Sequence, residues 1–250
     1  MAEYVRLGDS SNSPGGGNSP GGVLALPAGN GPAPAVLVTS AIAGLNDYVS
    51  GVVDQLAAEG YVALGLDYYA RTAGPPDLGS PDKIMAAVAA LSDPDVLDDV
   101  ATSVAWLRAS SRCDGRVGMV GFCIGGTYAL LGASGVDDLA CAVSFYGTLR
   151  YPSPSESKPI DPLTTAAKAR CPLLGHYGDA DHLIPAADVD ELRAITRGMA
   201  AEIYSYPGAG HAFHEDFRPQ VHRPVAAADA WRRTLVFLRY HLTSRFSASS

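Results

Sequence analysis

Short apolar, β-branched runs alternate with helix-like stretches along almost the whole chain, and this alternation limits the possible folds more than any other feature. AVLVTS at 35–40 reads as a strand buried on both faces. VSGVVDQLAAEG has helical spacing closed by Gly60, and YVALGLDYY is the next strand. KIMAAVAAL and DPDVLDDVATSVAWLRAS read as helices, the second with acids near its start and arginine near its end, as the helix dipole favours. Further along come strand RVGMVGF, helix GGTYALLGAS, strands ACAVSFYG and PLLGHYG, helix AADVDELRAITRG, strand AEIYSYPG and helix AAADAWRRTLVFLRYHL. Two short strands, VRL and VLALP, precede them. The pattern predicts an α/β fold: a mostly parallel, twisted sheet with helices on both faces and right-handed crossovers. No repeat or second composition regime breaks the 250 residues, so a single domain over 1–250 is expected. A flexible Gly/Ser/Pro loop is expected at about 10–22, and a tail at about 243–250.

Charge and cysteine usage remove several function classes. Eighteen basic against twenty-six acidic residues give a net charge of −8 with no basic cluster, which argues against nucleic acid and anionic membranes as partners. The cysteines, Cys113, Cys123, Cys141 and Cys171, form no Cys-x-x-Cys pair and have no zinc-ligand spacing, so neither a metal nor a cofactor is expected. Few, scattered cysteines suit a reducing cytoplasm, and residues 1–22 lack the pattern of a signal peptide. No apolar run approaches the roughly 20 residues of a membrane helix.

In a parallel sheet, ligands bind beyond the carboxyl ends of the strands. Three loops leaving such ends carry reactive side chains. GFCIGG has the strand, Gly-x-nucleophile-x-Gly, helix layout of a nucleophile elbow, with cysteine in place of serine. Gly121 and Gly125 leave room for a sharp turn, and Cys123 lands at a helix start, where the amide of Ile124 and the dipole favour negative charge. The bland alternative is a buried, inert cysteine. GDADHLIP offers two acids, Asp179 and Asp181, in what is otherwise an ordinary polar turn. GAGHAFHED places His211 in a glycine-rich turn. Nucleophile, acid and histidine in this order, each after its own strand, repeat the arrangement of α/β-hydrolases. His211 would take the thiol proton, and the acid would hold the imidazole tautomer.

On GLNDYV, AAEGYVALGLDYYAR, RVGMVGFCIGG, SFYG, GDADHLIP and GHAFHEDFRP, the chain resembles the dienelactone hydrolase family of α/β-hydrolases, from about residue 23 to 240. The resemblance implies the α/β-hydrolase fold. It also implies Cys123 as nucleophile, Asp181 rather than Asp179 as triad acid, His211 as base, and the amides of Ile42 and Ile124 as oxyanion hole. Two departures stand out. Where the family usually has a glutamate before the position of Ile42, this chain has Ala41, so Cys123 is expected to be activated by His211 alone. The family grips a substrate carboxylate with arginines, one shortly after the catalytic histidine. Here Ala212, Phe213, His214 and Glu215 follow His211; the next arginine is Arg218, and Arg71 and Arg150 are the other candidates.

The expected substrate is therefore a neutral or bulkier ester, lactone or thioester, in a pocket formed by Ala41, Tyr68, Tyr69, Phe122, Tyr146 and Phe213. Ordinary core packing is the competing account of those aromatics. Hydrolysis through a thioacyl-enzyme is the leading activity. A cyclase or isomerase using the same site, or a ligand-binding relative without activity, are the alternatives; the protein is expected as a monomer or homodimer.

Overall fold

A computed structural model describes residues 2–7, 19–72 and 74–243. Most of the expected 10–22 loop and of the 243–250 tail lies outside the described residues. The strands are β1 (Glu3–Arg6), β2 (Gly21–Ala25), β3 (Ala33–Thr39), β4 (Val62–Asp67), β5 (Cys113–Phe122), β6 (Leu139–Phe145), β7 (Leu173–Gly178) and β8 (Ala201–Tyr206). They form one sheet in the order β1-β2-β4-β3-β5-β6-β7-β8. β1–β2 and β2–β4 are antiparallel, and every other pairing is parallel. This is the mostly parallel sheet expected. One boundary differs: β2 begins at Gly21, inside the stretch read as loop. A Cβ on Gly22 would lie 2.2 Å from the Gly65 carbonyl oxygen, so glycine serves close strand approach here as well as flexibility.

The helices are α1 (Asp47–Ala58), α2 (Pro81–Ala90), α3 (Asp93–Ala109), α4 (Ile124–Gly135), α5 (Pro162–Ala166), α6 (Ala186–Ile195) and α7 (Pro224–Thr243). Alternation along β5 shows that both faces are covered. Gly118 lies beneath Leu238 and Leu242 of α7, whereas the next residue, Met119, meets Gly132 of α4. α1 starts at Asn46, whose side chain accepts from the Val49 amide, and buries Val49, Val52, Val53 and Leu56 at helical spacing. α4 is buried through Ala133, packed against β5, β6, α3 and α5. Cys123 thus caps the most enclosed helix of the fold. Among the described residues, no helix is long and apolar enough to cross a membrane.

Candidate active site

Between β5 and α4, the backbone of Cys123 takes φ 56° and ψ −122°, a combination that L-residues rarely adopt. Backbone contacts on every side enforce it. A Cβ on Gly121 would lie 1.9 Å from the Gly125 oxygen, and one on Gly125 would lie 2.2 Å from the Thr39 oxygen. Gly126 and Gly147, which the sequence reading passed over, are equally constrained: a Cβ on Gly147 would lie 2.4 Å from the Gly126 carbonyl carbon. The Cys123 amide donates to the Phe145 oxygen at 3.0 Å, tying the turn to the end of β6. Ile124 is the first residue of α4, so its amide has no carbonyl one turn back to bond.

Three loops converge on this turn. His211 Nε2 is 3.2 Å from Cys123 Sγ, and His211 Nδ1 donates to Asp181 Oδ2 at 2.9 Å. The Asp181 side chain is fully buried, and its other oxygen accepts from the Leu183 amide at 2.8 Å. Asp179 instead accepts from the Gly208 amide at 2.7 Å, holding the loop after β8. Burial works against a charged His211 ring. Cys123 and Asp181 outweigh it, and its pKa is pushed up to about 10. The ring is 19% exposed and Cys123 is half-buried, so the pair is open to a small molecule.

The loop after β3 lies alongside. Tyr68 donates to the Ser40 oxygen at 3.0 Å, and Tyr69 donates to the Ile42 oxygen at 2.7 Å. Half-buried Ala41 accepts from the Gly44 amide at 2.9 Å. The two tyrosines therefore brace the segment carrying the Ile42 amide. The remaining aromatics expected to line a pocket are placed differently. Phe122, Tyr146 and Phe213 are buried, with their surfaces taken by one another, by Phe145 and by Tyr206. They back the site and present no face to a ligand in this structure.

Arginines expected as possible carboxylate grips are already engaged. Arg71 forks onto Asp99; Arg150 bonds Asp161, Asp188 and Glu191. Arg218 donates to buried Glu215 at 2.8 Å. His214 is half-buried against Phe122, Phe145 and Trp231, with Nδ1 2.7 Å from the Tyr48 hydroxyl. Its spacing of three residues from His211 was the available signal. Among the described residues, no three His, Cys, Asp or Glu side chains group as a metal site would require.

The sequence pattern of the dienelactone hydrolase family matches residues 21–242. A candidate 2-oxo-3-(5-oxofuran-2-ylidene)propanoate lactonase of Bradyrhizobium is 43% identical over 229 residues, covering 89% of this chain and 90% of the relative. A candidate carboxymethylenebutenolidase of Escherichia coli K12 is 34% identical, covering 85% of this chain and 79% of the relative. The crystal structure of a candidate dienelactone hydrolase from Klebsiella pneumoniae superposes with a TM-score of 0.84 at 29% identity, over 94% of this chain and 97% of that one. An elbow on a mostly parallel eight-stranded sheet and a family match across nearly all of it lead to one conclusion: the chain belongs to the dienelactone hydrolase family, and it is a hydrolase acting on ester bonds.

Proposed function

We propose that the protein hydrolyses enol lactones and related activated esters through a Cys123–His211–Asp181 triad. The observation that carries this is the contact line Sγ–Nε2 at 3.2 Å and Nδ1–Oδ2 at 2.9 Å. In this reading, Cys123 meets His211 as a thiolate–imidazolium pair, formed without a second carboxylate because Ala41 supplies none. The sulfur attacks the carbonyl carbon, and the oxyanion takes hydrogen bonds from the amides of Ile42 and Ile124. As the C–O bond breaks, His211 gives its proton to the departing enolate oxygen. Water, deprotonated by His211, then attacks the thioacyl carbon; sulfur leaves and the acid is released. A good leaving group suits sulfur, because a thiolate is itself readily expelled from the tetrahedral adduct.

The substrate substituent is read as neutral. Glu215 sits four residues after His211 with Arg218 already neutralising it, and Arg71 and Arg150 are held by carboxylates of the chain. The Bradyrhizobium relative favours a second reading, because the lactone in its name bears a 2-oxo acid. Paired assays decide between them. Neutral furanone-ylidene lactones and their carboxylated counterparts are presented to wild type and to Cys123→Ala, and products are weighed by mass spectrometry. Product heavier by one water, lost in Cys123→Ala, is expected. Unchanged mass with rearranged structure would indicate cyclisation or isomerisation, and a preference for the acid would reject the neutral substituent.

A further inference from the structure

Three consecutive peptide planes in the loop after β3 are each held by a donor. The Ser40 oxygen accepts from the Tyr68 hydroxyl at 3.0 Å, the Ala41 oxygen from the Gly44 amide at 2.9 Å, and the Ile42 oxygen from the Tyr69 hydroxyl at 2.7 Å. The Ile42 amide, set between the last two carbonyls, donates to nothing among the described residues, although Ile42 is only 6% exposed. Unpartnered backbone donors in buried segments are rare. In a trans peptide the N–H points opposite to the carbonyl, so holding the Ala41 oxygen on Gly44 also sets the direction of the Ile42 N–H. The loop abuts the elbow: a Cβ on Gly125, two residues after Cys123, would lie 2.2 Å from the Thr39 oxygen and 2.6 Å from the Ser40 oxygen. Cys123 is also close enough to act electrostatically on the Tyr68 phenol.

Tyr68 and Tyr69 are not equivalent. Tyr68 is buried, its ring against Tyr69 and Tyr128, and packing alone accounts for it. Tyr69 is half-buried, and its ring lies over Gly44, where a Cβ would meet ring carbons at 2.8 and 3.0 Å. Gly44 takes φ 73°, a left-handed conformation that glycine adopts without strain. A ring without an oxygen would cover Gly44 equally well. Packing therefore explains an aromatic residue at 69 and leaves its hydroxyl unexplained. Asp67 anchors the residue by accepting from the Tyr69 amide at 2.9 Å. Burial, with Asp67 nearby, raises the phenol pKa to about 12, so the hydroxyl keeps its proton and remains a donor.

We propose that Tyr69 is a positioning residue for the oxyanion hole: its hydroxyl, bonded to the Ile42 carbonyl, keeps the Ile42 N–H aimed at the substrate oxyanion. This rests on the hydrolytic reading above. Without that bond the peptide plane after Ile42 is free to turn, and the donor is still present but less well placed. Donors of this kind owe their value to being fixed beforehand, since one that must be turned into place costs reorganisation at every turnover.

Tyr69→Phe keeps the ring over Gly44 and removes only the oxygen. Two reactions of Cys123 are compared in the variant and in wild type. With p-nitrophenyl acetate, sulfur attacks the acetyl carbon through a tetrahedral oxyanion, the C–O bond breaks and nitrophenolate leaves. With iodoacetamide, the same sulfur displaces iodide at a saturated carbon, and no oxyanion forms. Acylation is expected to slow about tenfold, less than the roughly 10²–10³-fold loss that follows outright removal of a donor, while alkylation is unchanged. kcat/KM on an enol lactone falls with acylation. Acylation at the wild-type rate would overturn the proposal and leave Tyr69 as packing. A changed alkylation rate would also overturn it, by showing a disturbed thiol rather than a misplaced donor. Failure of the hydrolytic reading is seen elsewhere: wild type would carry no acetyl group on Cys123 by peptide mass, or Cys123→Ala would still hydrolyse the lactone.

Discussion

The Asp181 carboxylate has both oxygens bonded, one to the Leu183 amide and one to His211 Nδ1, and its side chain has no exposed surface. It therefore fixes which imidazole nitrogen faces the sulfur. Asp181→Asn preserves the volume but can present an N–H where the ring needs an acceptor. The expected loss in kcat is roughly 10⁴-fold, by analogy with the same change in a serine triad. The alkaline limb of kcat/KM should also move toward lower pH, since Asp181 is one of the groups raising the His211 pKa to about 10. Steady-state rates from pH 5 to 10.5 check both. A variant within tenfold of wild type would mean that Asp181 is only a loop anchor. At the elbow, Gly121→Ala would drive a methyl group into the Gly125 carbonyl, a backbone atom that cannot swing aside. A loss at or beyond the upper end of about 1–3 kcal/mol is expected in urea unfolding.

Elements differ in how clearly the sequence announces them. β5, the elbow and α4 were legible because Gly121, Gly125 and Gly126 each answer a specific backbone approach, so the motif and the geometry are one fact. Asp179 and Asp181 were not separable by pattern alone, since both follow β7; only the fold shows the first bonding Gly208 and the second reaching His211. Phe122, Tyr146 and Phe213 were misread as pocket walls because an aromatic residue at a strand end looks the same in a core and in a cleft. Lys158 was invisible, lying in an aperiodic segment. It forms an ion pair with Asp93, with side chains 5% and 3% exposed, and also bonds the Leu91 oxygen and the Tyr128 hydroxyl. Tyr151 donates to the other Asp93 oxygen at 2.8 Å. This cluster joins the loop after β6, the end of α2 and the start of α3. α2 itself buries no residue, so its attachment leans on such contacts. Lys158→Met should cost about 3–5 kcal/mol, because it leaves the Asp93 charge buried and uncompensated. Asp93→Asn keeps one acceptor oxygen, for Lys158 or Tyr151 but not both, and should cost less because the lysine keeps the Leu91 oxygen as acceptor. Urea unfolding of the two variants tests that ranking, and equal losses would show the pair to be packing alone.

At the scale of the whole molecule, two histidines away from the Cys123–His211 contact, one buried and one half-buried, should govern how the fold responds to mild acid. His176 lies between the Tyr206 hydroxyl and Thr234 Oγ1, and His214 bonds the Tyr48 hydroxyl. Burial lowers their pKa values to about 3 and about 4. An unfolded chain protonates both near 6.5. Above pH 6.5 the two rings are neutral whether the chain is folded or not, and stability is full. As pH falls from 6.5 toward 4, the unfolded state takes up two protons that the folded state refuses, so stability declines. His211 has the opposite sign: its raised pKa gives a contribution complete below 6.5 and lost only as pH rises through about 10, so it does not enter the acid window. Carboxylates protonate mostly below about pH 5, which leaves pH 6.5–5 as an interval in which histidines dominate. Two protons correspond to a limiting slope of about 2.7 kcal/mol per pH unit, approached near pH 5. Urea unfolding at half-unit steps should show this slope in wild type and about half of it in His214→Gln, whose amide can still bond Tyr48. A flat wild-type profile over that interval would mean that both rings charge within the folded core, and a half slope that one does.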